Sequence, residues 1–132
     1  MASFVNRVWT EDGEAADLGV SGVYTPVLTL TTNVAAATAR LCTYCRVGQT
    51  VMVTGQLDAT ATAAEATVLT VSLPAESNLG TAYQLGGVAV GADGVGAVII
   101  GDATANEASF QWTAADTNAH TITFMFAYQQ VV

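Results

Sequence analysis

Cys42 and Cys45 form a Cys-x-x-Cys pair, and His120 is the chain's single imidazole. A redox dithiol is expected at a helix N-terminus, where the thiolate is stabilised. Here the pair lies in Arg40-Leu41-Cys42-Thr43-Tyr44-Cys45-Arg46-Val47, which alternates like a strand. Residues i and i+3 of a strand lie roughly 10 Å apart, at about 3.3 Å per residue, and point to opposite faces, whereas a disulfide needs its Cα atoms within about 7 Å. Two free, structural thiols are therefore expected. Zinc on this pair would need two further ligands, and His120 alone does not complete a usual site.

A hydrolase needs a nucleophile, a base and a group that orients the base. His120 is the one candidate base of its type. It falls beside Asn118 in an expected turn, and the chain has no Gly-x-Ser-x-Gly. Paired carboxylates serve glycosidases. Yet Glu11, Asp12, Glu14 and Asp17 crowd one N-terminal stretch, while Asp93, Asp102, Glu107 and Asp116 fall where strands should end and turns begin. No catalytic residue is expected, and the chain reads as a non-enzyme. Asp93 and Asp102, both in expected loops, are the carboxylates most open to a shared structural calcium, but no Asp-x-Asp-x-Asp-Gly loop is present. Gly86, Gly87, Gly91, Gly94 and Gly96 precede no Gly-Lys-Ser or Gly-Lys-Thr, so they read as bulges and close backbone contacts, not a phosphate cradle. Flat aromatic faces at Trp9, Trp112 and Tyr44 suit sugar stacking, but Trp112 shares its face with Phe110 and reads as core. No cofactor is expected.

The balance of residue types narrows the partners. Hydrophobic residues make up 52% of the 132 and charged residues 11%, against about 25% charged in a typical soluble domain. Such a chain is either membrane-bound or hides its surface against partners. No apolar run of about 18 residues occurs, and Met1 to Arg7 lack a signal-peptide apolar region, so no membrane is expected. The net charge is −8, with Arg7, Arg40 and Arg46 the only Lys or Arg residues. Three arginines do not form the basic face that nucleic acid requires. Burial between protein subunits remains.

Phe4, Val5, Val8 and Trp9 form an apolar cluster, followed by four acids between Glu11 and Asp17 and by Gly13, Gly19 and Gly22. Residues 1–22 are expected to be an anchoring arm, an apolar partner-binding cluster joined to the body by an acidic, irregular connector. Residues 23–132 are expected to be one domain, long enough to bury its own core.

Within that domain period-two patterning dominates. Tyr24 to Leu30 reads as a strand that Pro26 places at an edge, and Asn33 to Thr38 as an Ala-rich connector. Leu41, Thr43, Cys45 and Val47 share one face. Gly48-Gln49 is a hairpin turn, after which Val51, Val53, Gly55 and Leu57 point inward. Leu69, Val71 and Leu73 follow, then strands over Ala82–Val90 and Val95–Ile100, then Ala108, Phe110 and Trp112. Ile122, Phe124, Phe126 and Tyr128 make the clearest inward face, with Thr121, Thr123, Met125 and Ala127 opposite. The expected fold is all-β, an antiparallel, jelly-roll-like β-sandwich of about eight strands. The outward positions carry Thr, Ala, Met and Gln, not the charge that normally protects exposed sheets. Neighbouring copies are expected to cover them, in a homotrimer.

Four segments carry a resemblance: Gly22-Val23-Tyr24-Thr25-Pro26-Val27-Leu28-Thr29, Tyr44 to Gly55 with its Tyr-x-Arg-Val-Gly, Ser72-Leu73-Pro74-Ala75-Glu76-Ser77-Asn78, and Phe124-Met125-Phe126-Ala127-Tyr128-Gln129. In this order they resemble a family of small β domains from tailed-phage virion structural proteins, found alone or at the C-terminal ends of fibre-like proteins. The resemblance spans Gly22 to Gln129. It implies an oligomeric β-sandwich on the virion surface, with no catalytic residues to transfer. Gly48 would turn the hairpin while Val47 and Val51 pack inward on either side of it. The expected role is capsid decoration or cement, bound to the major capsid protein, with a tail-fibre or receptor-binding appendage as the alternative. The short arm and the absence of a fibre shaft favour the capsid.

Overall fold

The computed structural model describes the backbone of residues 7–9, 15–17 and 19–131, and the side chains of residues 20–131. Its strands are Arg7–Trp9 (β1), Ala15–Asp17 (β2), Gly19–Tyr24 (β3), Leu28–Thr32 (β4), Val34–Ala39 (β5), Cys42–Val47 (β6), Thr50–Ala61 (β7), Ala66–Val71 (β8), Leu85–Gly91 (β9), Gly96–Asp102 (β10), Glu107–Thr113 (β11) and Ala119–Gln129 (β12). The only helical element among the described residues is a 3-10 turn at Ala82–Gln84.

Ten strands, β3 to β12, join in one antiparallel sheet in the order β3-β6-β7-β12-β9-β10-β11-β8-β4, with β5 also paired to β7. β12 lies between β7 and β9. Its buried residues Ile122, Phe124, Phe126 and Tyr128 make the spine of the core, as their alternation predicts.

The sheet is curled into a half-barrel. β11 stands three places from β12 in the order, about 14 Å away in a flat sheet at ~4.8 Å per strand. Yet the Phe110 ring centroid lies 5.0 Å from that of Phe124 and 6.3 Å from that of Phe126, both edge-on. Only a folded-over sheet brings these rings together. The strands between them allow it because the concave side of β9 is lined with small residues. Gly87 pairs with Phe126 on one side and Ile99 on the other. A Cβ on Gly87 would overlap the backbone of Met125 and Phe126, so even alanine would force those strands apart. Next along the same face, Ala89 pairs with Phe124.

The margins of the sheet meet at Asn33. β4 hydrogen-bonds to β8 near one end of the order and β5 to β7 near the other, yet Asn33 alone separates them in sequence. Its backbone is left-handed, φ 57°, a conformation that asparagine tolerates better than most residues. The Asn33 amide nitrogen donates to the Ala63 carbonyl (2.8 Å) and to Thr67 Oγ1 (2.9 Å), and its amide oxygen accepts from Ala63 N–H (2.9 Å). The corner is thereby tied to the β7–β8 loop. The residues after it, expected to be a connector, form β5 because β7 runs on to Ala61 and offers them a partner.

The phase of β6 differs from expectation. Val47 pairs with Thr50 across a two-residue turn in which Gly48 has φ 61°. Such a turn places the flanking residues opposite each other on one face. Val47 therefore follows Thr50 outward and is 57% exposed, whereas Val51 is fully buried and pairs with Arg46. The inward residues of β6 are Cys42 and Tyr44, not Leu41, Thr43 and Cys45. Cys42 fits because Gly55 lies beneath it: a Cβ on Gly55 would overlap the Cys42 sulfur.

Residues expected to form the N-terminal arm contribute strands. β1 and β2 pair as a separate two-stranded sheet, and β3 adds to β6 at the margin of the main one. The expected division after residue 22 falls inside β3.

Candidate functional site

The convex face of the curl is uncharged at its centre. Across β7, β12, β9 and β10 the register aligns Thr54, Met125, Val88 and Val98 in one row. A second row holds Gln56, Thr123, Val90 and Gly96. Val88, Val98, Val90, Met125 and the neighbouring Met52 are between 43% and 62% exposed. A shallow groove runs along Met125, Val88 and Val90. These are outward positions of strands whose other face makes the core, so their apolar character is not needed for folding. The described acids lie at strand ends and loops, apart from Asp58. That carboxylate, on the outward side of β7, is held by Arg40 Nη2 (2.9 Å) and by the Thr121 hydroxyl (2.7 Å). These two hydrogen bonds lower its pKa, the Thr121 bond contributing most.

The four segments carrying the resemblance meet one another, the second and fourth along the β7–β12 pairing, and their side-chain contacts are structural. Tyr24 and Tyr44 pack edge to face at 6.0 Å. The Tyr128 hydroxyl donates to the Ala75 carbonyl at 2.7 Å and accepts from Ala75 N–H at 3.2 Å. Burial pushes its pKa up to about 12. Ser77 Oγ donates to the Gln129 carbonyl (2.9 Å), and Tyr24 donates to the Ser72 carbonyl (3.1 Å), joining the first segment to the third. These residues anchor the long β8–β9 connection and the margin strand.

At one open end of the curl the fold assembles a cluster that sequence spacing does not reveal. His120 is the second residue of β12 and in phase with Ile122, so its ring points toward the mouth of the curl. Its Nε2 lies 2.7 Å from Asp116 Oδ1, in the β11–β12 loop, and 3.4 Å from Asp93 Oδ2, in the β9–β10 turn. Each carboxylate is held by its own loop: Asp116 Oδ1 accepts from Asn118 N–H (2.9 Å) and Asp93 Oδ1 from Val95 N–H (3.2 Å). The mouth is otherwise lined by Ala59, Ala61, Ala97 and Trp112, around a cavity of 20 Å³. Trp112 packs against the core, as its alternation with Phe110 predicts.

Asp116 raises the His120 pKa by hydrogen bonding, Asp93 and Asp116 raise it further by charge, and desolvation opposes them. The Asp116 pKa falls through its bonds to His120 and to the Asn118 backbone. Among the described residues no other ionisable side chain lines this mouth; β7 presents only Ala59 and Ala61. The His120 contribution to stability is complete below the ordinary imidazole range and disappears as pH rises through its raised pKa. The Asp116 contribution is complete above the ordinary carboxylate range and disappears as pH falls through its lowered pKa. In an NMR titration the His120 midpoint should lie above 6.5, and Asp116→Asn should move it down. A midpoint at or below 6.5 in the parent protein would contradict the pairing.

Cys42 is buried, Cys45 is exposed, and both are free. They lie on opposite faces of β6, and burial pushes the Cys42 thiol pKa up. Asp93 and Asp102 stand at opposite ends of β10, so they do not face one ion within a chain. Asp102 Oδ1 accepts from Thr104 and Ala105 N–H, both at 3.0 Å, as turn chemistry predicts. Of the expected partner-binding residues, Phe4 and Val5 lie outside the described residues. Val8 and Trp9 fall in β1, opposite Ala16 and Ala15, and their side chains are outside the description. No helix among the described residues is long and apolar enough to cross a membrane.

Neither a protein-family model, nor a curated protein, nor a solved structure matches the chain.

Proposed function

We propose that this chain is a non-catalytic structural subunit that self-associates as a homotrimer and decorates the capsid of a tailed phage. The observation that carries the reading is the uncharged centre of the convex face formed by β7, β12, β9 and β10. Its occupant is a second copy of the chain. Copies that each carry −8 repel wherever carboxylates oppose, and this face is where two copies can touch without opposing them. Apolar contact there would remove large exposed side chains from water, which is the main favourable term in association. The curl that sets Phe110 against Phe124 and Phe126 also favours a two-layer, jelly-roll-like reading of the fold.

The virion setting rests on the resemblance of the four segments. The capsid contact is assigned to the N-terminal arm with Phe4, Val5, Val8 and Trp9, and the major capsid protein is its partner. Because β3 begins at Gly19, a clean test removes residues 1–18 and spares that strand. The truncated protein should remain folded and trimeric but fail to co-sediment with undecorated phage heads that bind the full chain. Full occupancy by the truncated protein would take the contact away from the arm. Failure of the full chain to bind heads would remove the capsid role.

A further inference from the structure

We propose that Asp93, Asp116 and His120 form a zinc site that clamps the β9–β10 turn to the start of β12. One nitrogen and two carboxylate oxygens, each from a different residue, lie within 4.8 Å of one another. The donor set fits zinc, which takes imidazole and carboxylate ligands and adopts four-coordination, often with three protein ligands and a water. Calcium takes six to eight oxygens, and this set holds two carboxylates and an imidazole. Two carboxylates and a neutral imidazole also balance the ion's double charge.

The two separations from His120 need little adjustment, and the Asp93 and Asp116 oxygens lie within 4.8 Å of each other. Zinc–ligand bonds of about 2.0–2.1 Å at the tetrahedral angle put neighbouring ligand atoms about 3.3 Å apart. His120 Nε2 and Asp93 Oδ2 already stand at 3.4 Å. His120 Nε2 and Asp116 Oδ1, at 2.7 Å, are held by a hydrogen bond that must open by about half an ångström when the ion replaces the proton between them. The adjoining cavity of 20 Å³ accommodates one water, which needs roughly 10–15 Å³ of such space. That water supplies the fourth ligand. All three ligands come from segments adjoining rigid strands, two of them fastened by loop hydrogen bonds, so the ordering cost of binding is low.

The test is titration of the chelator-treated full-length protein with zinc alone, by calorimetry and by thermal unfolding, followed by cobalt spectroscopy. One ion should bind per chain and raise the melting temperature, and a chelator should reverse the rise. Losing even an outer-sphere partner of a metal costs 10- to 100-fold in affinity, so His120→Ala should weaken binding by more than about 100-fold. Asp93→Asn, in a different loop, should also weaken it while circular dichroism shows the fold intact. Cobalt should give no thiolate charge-transfer band. Three results would overturn the site: no binding at millimolar zinc, equal binding by His120→Ala, or a thiolate band that places the ion on Cys45.

Discussion

Replacing Phe110 by alanine should remove about 3–5 kcal/mol of stability, the usual cost of truncating a buried aromatic. A domain of this size has only about 5–15 kcal/mol in total, so the variant should be marginal or unfolded at physiological temperature. The effect is large because Phe110 is fully buried and its ring is the contact through which β11 closes over β12. Its ring and that of Phe124 meet edge to face at a centroid distance of 5.0 Å, and Phe124 stacks with Phe126 at 5.9 Å. Removing the ring leaves both partners facing a void between the folded-over parts of the sheet, where neither neighbour can collapse without flattening the curl. Urea unfolding followed by tryptophan fluorescence and by circular dichroism measures the loss. A loss below 1 kcal/mol would mean that these parts do not close on Phe110.

The second large effect is on assembly. Val88→Glu should convert the proposed trimer to monomer at micromolar concentration. Val88 is 62% exposed in the single chain, with Met125 and Val98 beside it in the row. In the monomer the new carboxylate meets water, so folding should change by no more than about 0.5 kcal/mol. In the trimer each copy would bury an unpaired charge, at an effective cost of several kcal/mol per ion. Each 1.4 kcal/mol is tenfold in affinity, so the dissociation constant should rise by about a thousandfold or more. Sedimentation equilibrium reads this directly. Tyr83→Glu is the control: Tyr83 is 94% exposed, on the 3-10 turn and away from the row, and its variant should remain trimeric. A parent protein that sediments as a monodisperse monomer would remove the self-association on which the proposed function rests. A Val88→Glu protein that remains trimeric would move the interface elsewhere, with the margin strands β3 and β4 next in line through Val20, Val23 and Leu30, all about half exposed.

Alternation alone identified β7, β8, β11 and β12, most clearly β7 and β12, which are buried on one face and more open on the other, so that a period of two is written into the residues; in β8 and β11 Thr70 and Ser109 are buried as well. The inward sets Val51-Val53-Leu57 and Ile122-Phe124-Phe126-Tyr128 follow from the sequence for that reason, as does the charge-poor character of the opposite face. β5 was not legible. Val34-Ala35-Ala36-Ala37-Thr38-Ala39 carries no alternation, and what makes it a strand is the length of β7 beside it. The facing of β6 was not legible either: Leu41, Thr43, Cys45 and Val47 alternate as well as Cys42 and Tyr44 do, and the two-residue turn decided between them. The Asp93–Asp116–His120 cluster joins residues up to 27 positions apart through the pairing of β9 with both β10 and β12. Side-chain type and spacing within a strand are local properties, so the sequence shows them. Which strand ends share a mouth, and how far a sheet curls, depend on contacts between distant segments, and the small residues at Gly87 and Ala89 acquire their meaning only once Phe110 is seen to close over them.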